Sequence, residues 1–426
     1  MQAILTLFSN IYSNKKSLLI FIFISSVFVS LLFLSFFRDA GPSQHRVPAT
    51  DYQTYYEPIA NSIFSGKGPT IKGKLITAVP PGYPAILSGI FALSHLSGIG
   101  ELGLVVAFNV IITAIACCFL FLFAELIFNK RIALIASFLW LSYPFNLWFI
   151  KNPNTEVPFI LFLYLGIYFF IFSLKKMNWK YIFLAGIFFG FASLVRPIAL
   201  LLSLFLALLI IFFSKNTFRK GVYLFAIVLL IGNILAVLPW EMYVFSQTGN
   251  IIPLSTLGPG AFNAGFTFAL RTGAGGDEIA VSSDVRALME RADAENFNSG
   301  TDILYFCINE LENNPISFFK FLKLKAARSW YATSSKWYED VISIVQIPYL
   351  FTAFLGIMLS IKIHRKKIKN IILLLGVIAY FWIMTIFAHS ILRYIVPVMG
   401  LVIIFSAITI NALYEIFSFN NNSLSE

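Results

Sequence analysis

The stretch LGLVVAFNVIITAIACCFLFLFAELIF, residues 102–128, decides the architecture, because Glu125 is its one charged side chain. Wound as an α-helix at about 1.5 Å per residue, it reaches roughly 40 Å, more than the ~30 Å of a bilayer's hydrocarbon core. Nine further apolar runs fall at roughly 17–37, 132–149, 157–174, 181–195, 197–213, 221–240, 341–361, 370–388 and 393–416. Composition agrees: 58% of the 426 residues are hydrophobic and 12% charged, whereas soluble domains average about 45–50% and 25%. Lipid absorbs that much apolar surface and a soluble core does not. Hydrocarbon offers no partner to a free peptide group, and these runs are too long for barrel strands and lack their alternation, so the spanning element is the helix. The chain therefore reads as an all-α membrane protein with about ten transmembrane helices. The first run exceeds a signal-peptide core and has no small-residue cleavage site, so it reads as a retained span.

Sidedness follows from the short basic loops. Lys15/Lys16, Lys130/Arg131, Lys175/Lys176/Lys180, Lys215/Arg219/Lys220 and Lys362/Arg365/Lys366/Lys367/Lys369 can all face the cytoplasm with both termini inside. Parity then decides two segments. Residues 82–97 are apolar but short, and are expected as an interfacial or re-entrant helix on the outer face. Residues 181–213 are interrupted by Arg196-Pro197, and the residue before a proline leaves the helical region, so two short spans are expected to meet at an outer turn. The inner side then holds 15 of the 31 Lys/Arg against 3 of the 20 acids, and the outer side 16 against 17. The net charge of +11 thus reports orientation and contact with anionic membrane lipids. No RNA- or DNA-binding motif accompanies it, and nucleic acid is not an expected partner.

Two outer segments are too long to be connectors: 38–101, the first extracytoplasmic loop with its interfacial helices, and 241–340, the large extracytoplasmic loop. The second contains GPGAFNAGF and RTGAGGDE, a charged helical run near 281–297, and a basic aromatic stretch from Pro315. Cys117, Cys118 and Cys307 show neither a disulfide framework nor zinc spacing.

The candidate chemistry sits in the outer parts. DYQTYYEPIANSIFSGKG places Asp51 before Tyr55 and Glu57, where it is either a general base made more basic by the membrane surface or a solvated helix cap. KGKLITAVPPGYP supplies Lys72 and Lys74, as phosphate-holding point charges or as ordinary headgroup contacts. In KNPNTEVP, Glu156 lies at the membrane edge, functional at that depth or simply the first-turn acid of a helix capped by Asn154 or Thr155. Arg196 and Arg393 are membrane-edge guanidinium groups close to prolines, suited to hold phosphate oxygens or to snorkel to lipid heads. His45, His95 and His389 stand at irregular spacing and outline no metal site; a divalent metal has no support in the residues, and no cofactor is called for.

Taken together, DYQTYY, VPPGYP, NTE, LVRP, LPWEMYVFSQTGNIIPLS and ILRYIVP, in that order along nearly the whole chain, resemble the GT-C glycosyltransferases. The resemblance is to the bacterial branch similar to dolichyl-phosphate-mannose–protein mannosyltransferases and the lipid A aminoarabinose transferase. It implies one GT-C transmembrane domain over 1–426. It also implies inverting transfer of a sugar from a polyprenyl-phosphate donor to a lipid, glycan or protein acceptor on the extracytoplasmic side of a bacterial inner membrane. On that pattern Asp51 falls at the general-base position and Glu156 at the second acidic position, orienting sugar or acceptor. Arg196, Arg393 and Lys72 or Lys74 are candidates for the phosphate, and Tyr55 and Tyr394 join the substrate-binding set. The chain departs from several relatives in reading Asp-Tyr where they have Asp-Glu. A polysaccharide polymerase or ligase is the alternative, weakened because the late loop lacks histidine. A transporter is a further one, weakened because no charged residue is assigned to mid-span.

Overall fold

A computed structural model describes residues 12–39, 51–213, 219–270, 279–295, 297–336 and 338–423. His45, Lys215, the RTGAGGDE stretch and the side chains of Arg219 and Lys220 lie outside the described residues. In chain order the helices are α1 (Lys15–Phe37), α2 (Glu57–Phe64, entered through a single π turn at Tyr52–Tyr56), α3 (Gly82–Ser97), α4 (Glu101–Ile127), α5 (Lys130–Leu141), α6 (Pro144–Ile150) and α7 (Glu156–Lys176). They continue as α8 (Trp179–Val195), α9 (Leu202–Phe213), α10 (Arg219–Thr248), α11 (Gly258–Phe266), α12 (Ser283–Glu295), α13 (Gly300–Asn313), α14 (Pro315–Arg328), α15 (Glu339–Ile363), α16 (Ile368–Phe387) and α17 (Leu392–Ser423). The strands among the described residues, Thr70–Ile71 and Lys74–Leu75, form a two-stranded antiparallel hairpin.

Every apolar run is helical, so the all-α membrane class holds. Among the described residues seven helices are long and apolar enough to cross a bilayer, and the pair α5 and α6, bent by 55°, passes together as an eighth. Ten is not reached by length and composition, and the reason is local. Arg196 is extended at φ −142°, as the following proline demands, and this splits the apolar stretch into two pieces of 17 residues or fewer. Seventeen helical residues rise only about 26 Å.

The bundle's centre is α17, 89% buried over its most apolar window. It packs against α5, α7, α15 and α16, and Ile395, Met399, Ile403 and Phe405 are fully enclosed. The most extensive helix pairing among the described residues joins α8 to α10. A Cβ on Gly186 would fall on the Leu229 carbonyl, one on Gly190 on Ala236, and one on Gly232 on the Phe183 carbonyl. Small residues four apart let the two backbones meet, which is how helices associate where lipid removes the hydrophobic drive.

The outer segments are folded. Helix α10 continues to Thr248, beyond the boundary expected at 240, because the chain turns back onto it. Trp240 Nε1 donates to the Leu254 carbonyl at 3.1 Å, and Glu241 accepts the Leu254 N–H at 2.8 Å. Helices α11 to α14 enclose a second core around Phe266, Leu288, Met289 and Phe321. That core is tied to the spans by buried Lys325, whose Nζ donates to the carbonyls of Phe387 (3.3 Å) and Ala388 (3.1 Å) with the Phe266 ring 4.4 Å away. Arg328 adds a two-point pair to Glu339, both contacts 3.0 Å.

Replacing Gly186 by Leu forces main chain apart and is expected to cost about 3 kcal/mol of stability. Gly89→Ala, in α3 with open space around it, should be neutral or stabilising by about 0.5–1 kcal/mol. Thermal unfolding of both variants in detergent checks the contrast.

Candidate active site

The site is built on the start of α7. Asn154 Oδ1 accepts the Val157 N–H at 3.1 Å and so caps the helix, while its amide donates to the carbonyls of Phe149 and Asn152. Asn109, a lone amide within the apolar α4, donates to the carbonyls of Asn152 (3.2 Å) and Ile150 (3.4 Å). The loop between α6 and α7 is therefore held in shape. Glu156 follows in the first turn, where the helix dipole favours an acid.

Glu156 is fully buried. A bare carboxylate there would cost several kcal/mol, so it needs cations at contact distance. Two arrive from remote parts of the chain. Arg196, at the end of α8, donates through Nη1 to Glu156 Oε1 and to Thr155 Oγ1 at 3.1 Å. Arg393, in the first turn of α17, donates through Nε to Oε1 and through Nη2 to Oε2 at 3.3 Å. The Arg196 guanidinium also lies 4.8 Å from the Tyr394 ring, a favourable cation–π placement.

Two guanidinium groups and one carboxylate leave a residual charge of about +1. The side chain of Arg196 is 8% exposed and that of Arg393 is 38% exposed. Arg393 thus keeps N–H donors for something outside, whereas Arg196 is committed to the interior. Sequence reasoning assigned both arginines to an external anion; the structure gives both Glu156 as first partner, because a buried carboxylate outcompetes a solvated one for them.

The first outer loop closes over this cluster. Tyr56, at the end of the π turn, stacks edge-on against Tyr83 with centroids 5.1 Å apart. Burial pushes the Tyr56 phenol up to about 12, against the opposing pull of Arg393 and Arg196, with Asp51 and Glu156 adding to the rise. Tyr56 is therefore protonated at any physiological pH and stands in electrostatic reach of both acids and both arginines. Asp51, which opens the π turn, is exposed. Tyr83 is buried within electrostatic reach of Glu156, and its phenol is likewise raised by burial.

The structure thus brings Glu156, Arg196, Arg393 and Tyr394 into contact, and Tyr56 stands in electrostatic reach of the acid and arginines of that cluster and of Asp51. Tyr55 is half-buried on the same turn. Lys72 and Lys74 stand exposed on the hairpin, Lys72 in the left-handed region at φ 52°, and neither is an ion-pair partner of Glu156. Among the described residues no group of three or more His, Cys, Asp or Glu is placed to hold a metal. Tyr56, Tyr83 and, except as a helix cap, Thr155 were not singled out from sequence, nor was Asn109. The first three stand inside or beside motifs already marked, and Asn109 is a polar interruption of a lipid-length run.

Residues 78–240 match the family model for dolichyl-phosphate-mannose-protein mannosyltransferase. No curated protein matches in sequence. Among solved structures, the chain is similar to the oligosaccharyltransferase AglB from Archaeoglobus fulgidus in complex with an inhibitory peptide and a dolichol-phosphate. The TM-score is 0.58 at 14% identity, over 96% of this chain and 52% of that one. It is also similar to ArnT from Cupriavidus metallidurans bound to undecaprenyl phosphate, with TM-score 0.51 and 11% identity over 92% and 59%. The chain spans about half the length of these structures. The fold is the GT-C type that the motifs resemble, shared with these two structures, and the chain is an integral membrane protein.

Removing the carboxylate in Glu156→Ala leaves two guanidinium groups facing each other in a dry site and is expected to cost about 3–5 kcal/mol. Glu156→Gln, which keeps one acceptor oxygen, should cost less. Heat unfolding in detergent orders the two variants, and equal stability of Glu156→Ala and wild type would remove the claim.

Proposed function

We propose that this protein is a membrane glycosyltransferase that moves a sugar from a polyprenyl-phosphate donor to a lipid, glycan or protein acceptor, with inversion at the anomeric carbon. The single observation that carries this reading is the buried Glu156–Arg196–Arg393 cluster with Arg393 still partly exposed, and Tyr56 lies in electrostatic reach of both that cluster and the exposed acid Asp51. The family-model match and the two neighbours, one with dolichol-phosphate and one with undecaprenyl phosphate, support the same class of donor.

The chemistry asks for opposite charges at two ends of one bond. An acceptor hydroxyl attacks the anomeric carbon as the carbon–oxygen bond to phosphate breaks, and the centre between them is oxocarbenium-like. Asp51 takes the hydroxyl proton as general base, which contributes about 10²–10⁴ in rate. The departing polyprenyl phosphate gains negative charge, and Arg393 meets it with the N–H groups that Glu156 leaves free. Glu156 and Arg196 hold Arg393 in place and so act on the sugar only through it, while Tyr394 and Tyr55 flank the substrate. Lys72 or Lys74 adds a point charge for the phosphate from the hairpin.

The distribution of the basic loops supports an extracytoplasmic site with both termini cytoplasmic, and on this reading the protein belongs to a bacterial inner membrane. The outer segments 38–101 and 241–340 are where an acceptor is recognised. A donor carrying one sugar or an oligosaccharide engages the same phosphate contacts.

Asp51→Asn is expected to retain the wild-type unfolding temperature and lose at least about a hundredfold in transfer from polyprenyl-phosphate-linked sugar. Mass spectrometry of the lipid that co-purifies identifies the donor for that assay. Full transfer by Asp51→Asn would exclude it as the base.

A further inference from the structure

At the end of the bundle opposite Glu156, the helices part around a cavity of about 650 Å³. Its wall is largely apolar, with Ile171, Leu209, Phe225 and Leu373 among the residues that line it, and Lys175, Lys367 and Lys369 stand around it together with Glu125. Lys175 and Glu156 lie at opposite ends of the 21-residue α7, about 28 Å apart along the axis. The cavity is therefore separate from the candidate active site.

The charges around it do not cancel. Glu125 is already held by Lys15 at 2.6 Å. Lys367 Nζ donates to the Phe128 carbonyl at 2.9 Å, which leaves two of its protons. Among the described residues, neither Lys175 nor Lys369 is in ion-pair contact with a carboxylate. Three ammonium groups thus share the mouth of an oily chamber, and α16 begins there, adding the positive end of its dipole.

We infer that this cavity is a binding site for an anionic phospholipid, its phosphate among Lys175, Lys367 and Lys369 and an acyl chain against the apolar wall. A free phosphate would use the lysines but leave the wall in contact with water, and burying apolar surface is what the wall can offer. A zwitterionic headgroup would bring a second cation to a cluster already repelling itself. The leaflet follows from the basic loops that supply the lysines: by the positive-inside rule it is the cytoplasmic one, whose surface is anionic.

The test uses the full chain, delipidated in neutral detergent, with native mass spectrometry and thermal unfolding. Dioleoylphosphatidylglycerol, dioleoylphosphatidylcholine and inorganic phosphate are added separately to wild type and to Lys175→Gln/Lys369→Gln. Wild type should retain phosphatidylglycerol saturably and unfold at higher temperature with it, and should respond to neither phosphatidylcholine nor phosphate. The double variant should bind phosphatidylglycerol roughly tenfold or more weakly, and Lys175→Arg/Lys369→Arg should restore binding. Equal retention of the two phospholipids by wild type, equal phosphatidylglycerol binding by wild type and the glutamine variant, or the same stabilisation by inorganic phosphate would each overturn the assignment. Both lysines are exposed, so the variant should fold. If its lipid-free unfolding temperature falls, the choice between the two phospholipids in wild type decides.

Discussion

A carboxylate sealed from solvent governs the arrangement of this protein. Glu156 is compatible with its surroundings only while cations touch it, and the two that do come from the end of α8 and the start of α17. The pairing therefore fixes where three helices meet and which way each arginine points. It also sets the electrostatics of the face above. One guanidinium is consumed internally, the other is half presented, and the surroundings keep a net positive charge beside an exposed acid. This division of labour follows from burial, since Arg196 and Arg393 differ mainly in how much of each is reached by water.

The outer segments build on that frame. The hydrogen bonds between Trp240, Glu241 and Leu254 turn the chain back from α10. Lys325 then ties the second core to the carbonyls at the end of α16, where the negative end of the helix dipole welcomes a cation. The Ala332 carbonyl accepts the Leu392 N–H at 2.9 Å, one residue before Arg393. The large outer loop is thus connected through main chain to the residue that faces outward from the cationic cluster.

Much of the fold was legible in the sequence because lipid imposes a simple rule: apolar runs of sufficient length become helices, and all those marked did. The count was less legible. Whether 181–195 and 197–213 each cross depends on how the Arg196-Pro197 break is used, and hydropathy is blind to that. The boundary at 240 also shifted, because Pro239 and Glu241 look like a helix end until Leu254 returns to pair with Trp240 and Glu241. Of the candidate site, the residue types and their depth were readable. The pairing was not: Glu156 lies 40 residues from Arg196 and 237 from Arg393, separations over which local pattern carries no signal. Tyr56 and Tyr83 were hidden for another reason. Their role comes from one ring resting on another, which sequence spacing does not encode.

The burial of α17 bears on how the protein is made. Ribosomes deliver a chain from its amino end, so this helix reaches the bilayer after every helix it touches. Until then the space it fills lies open, Tyr164 faces no Gly400, and Glu156 has Arg196 alone. The earlier spans must wait in the membrane as a loose, polar-flawed assembly. Arg393, carried in by α17, is what gives the buried carboxylate its second cation.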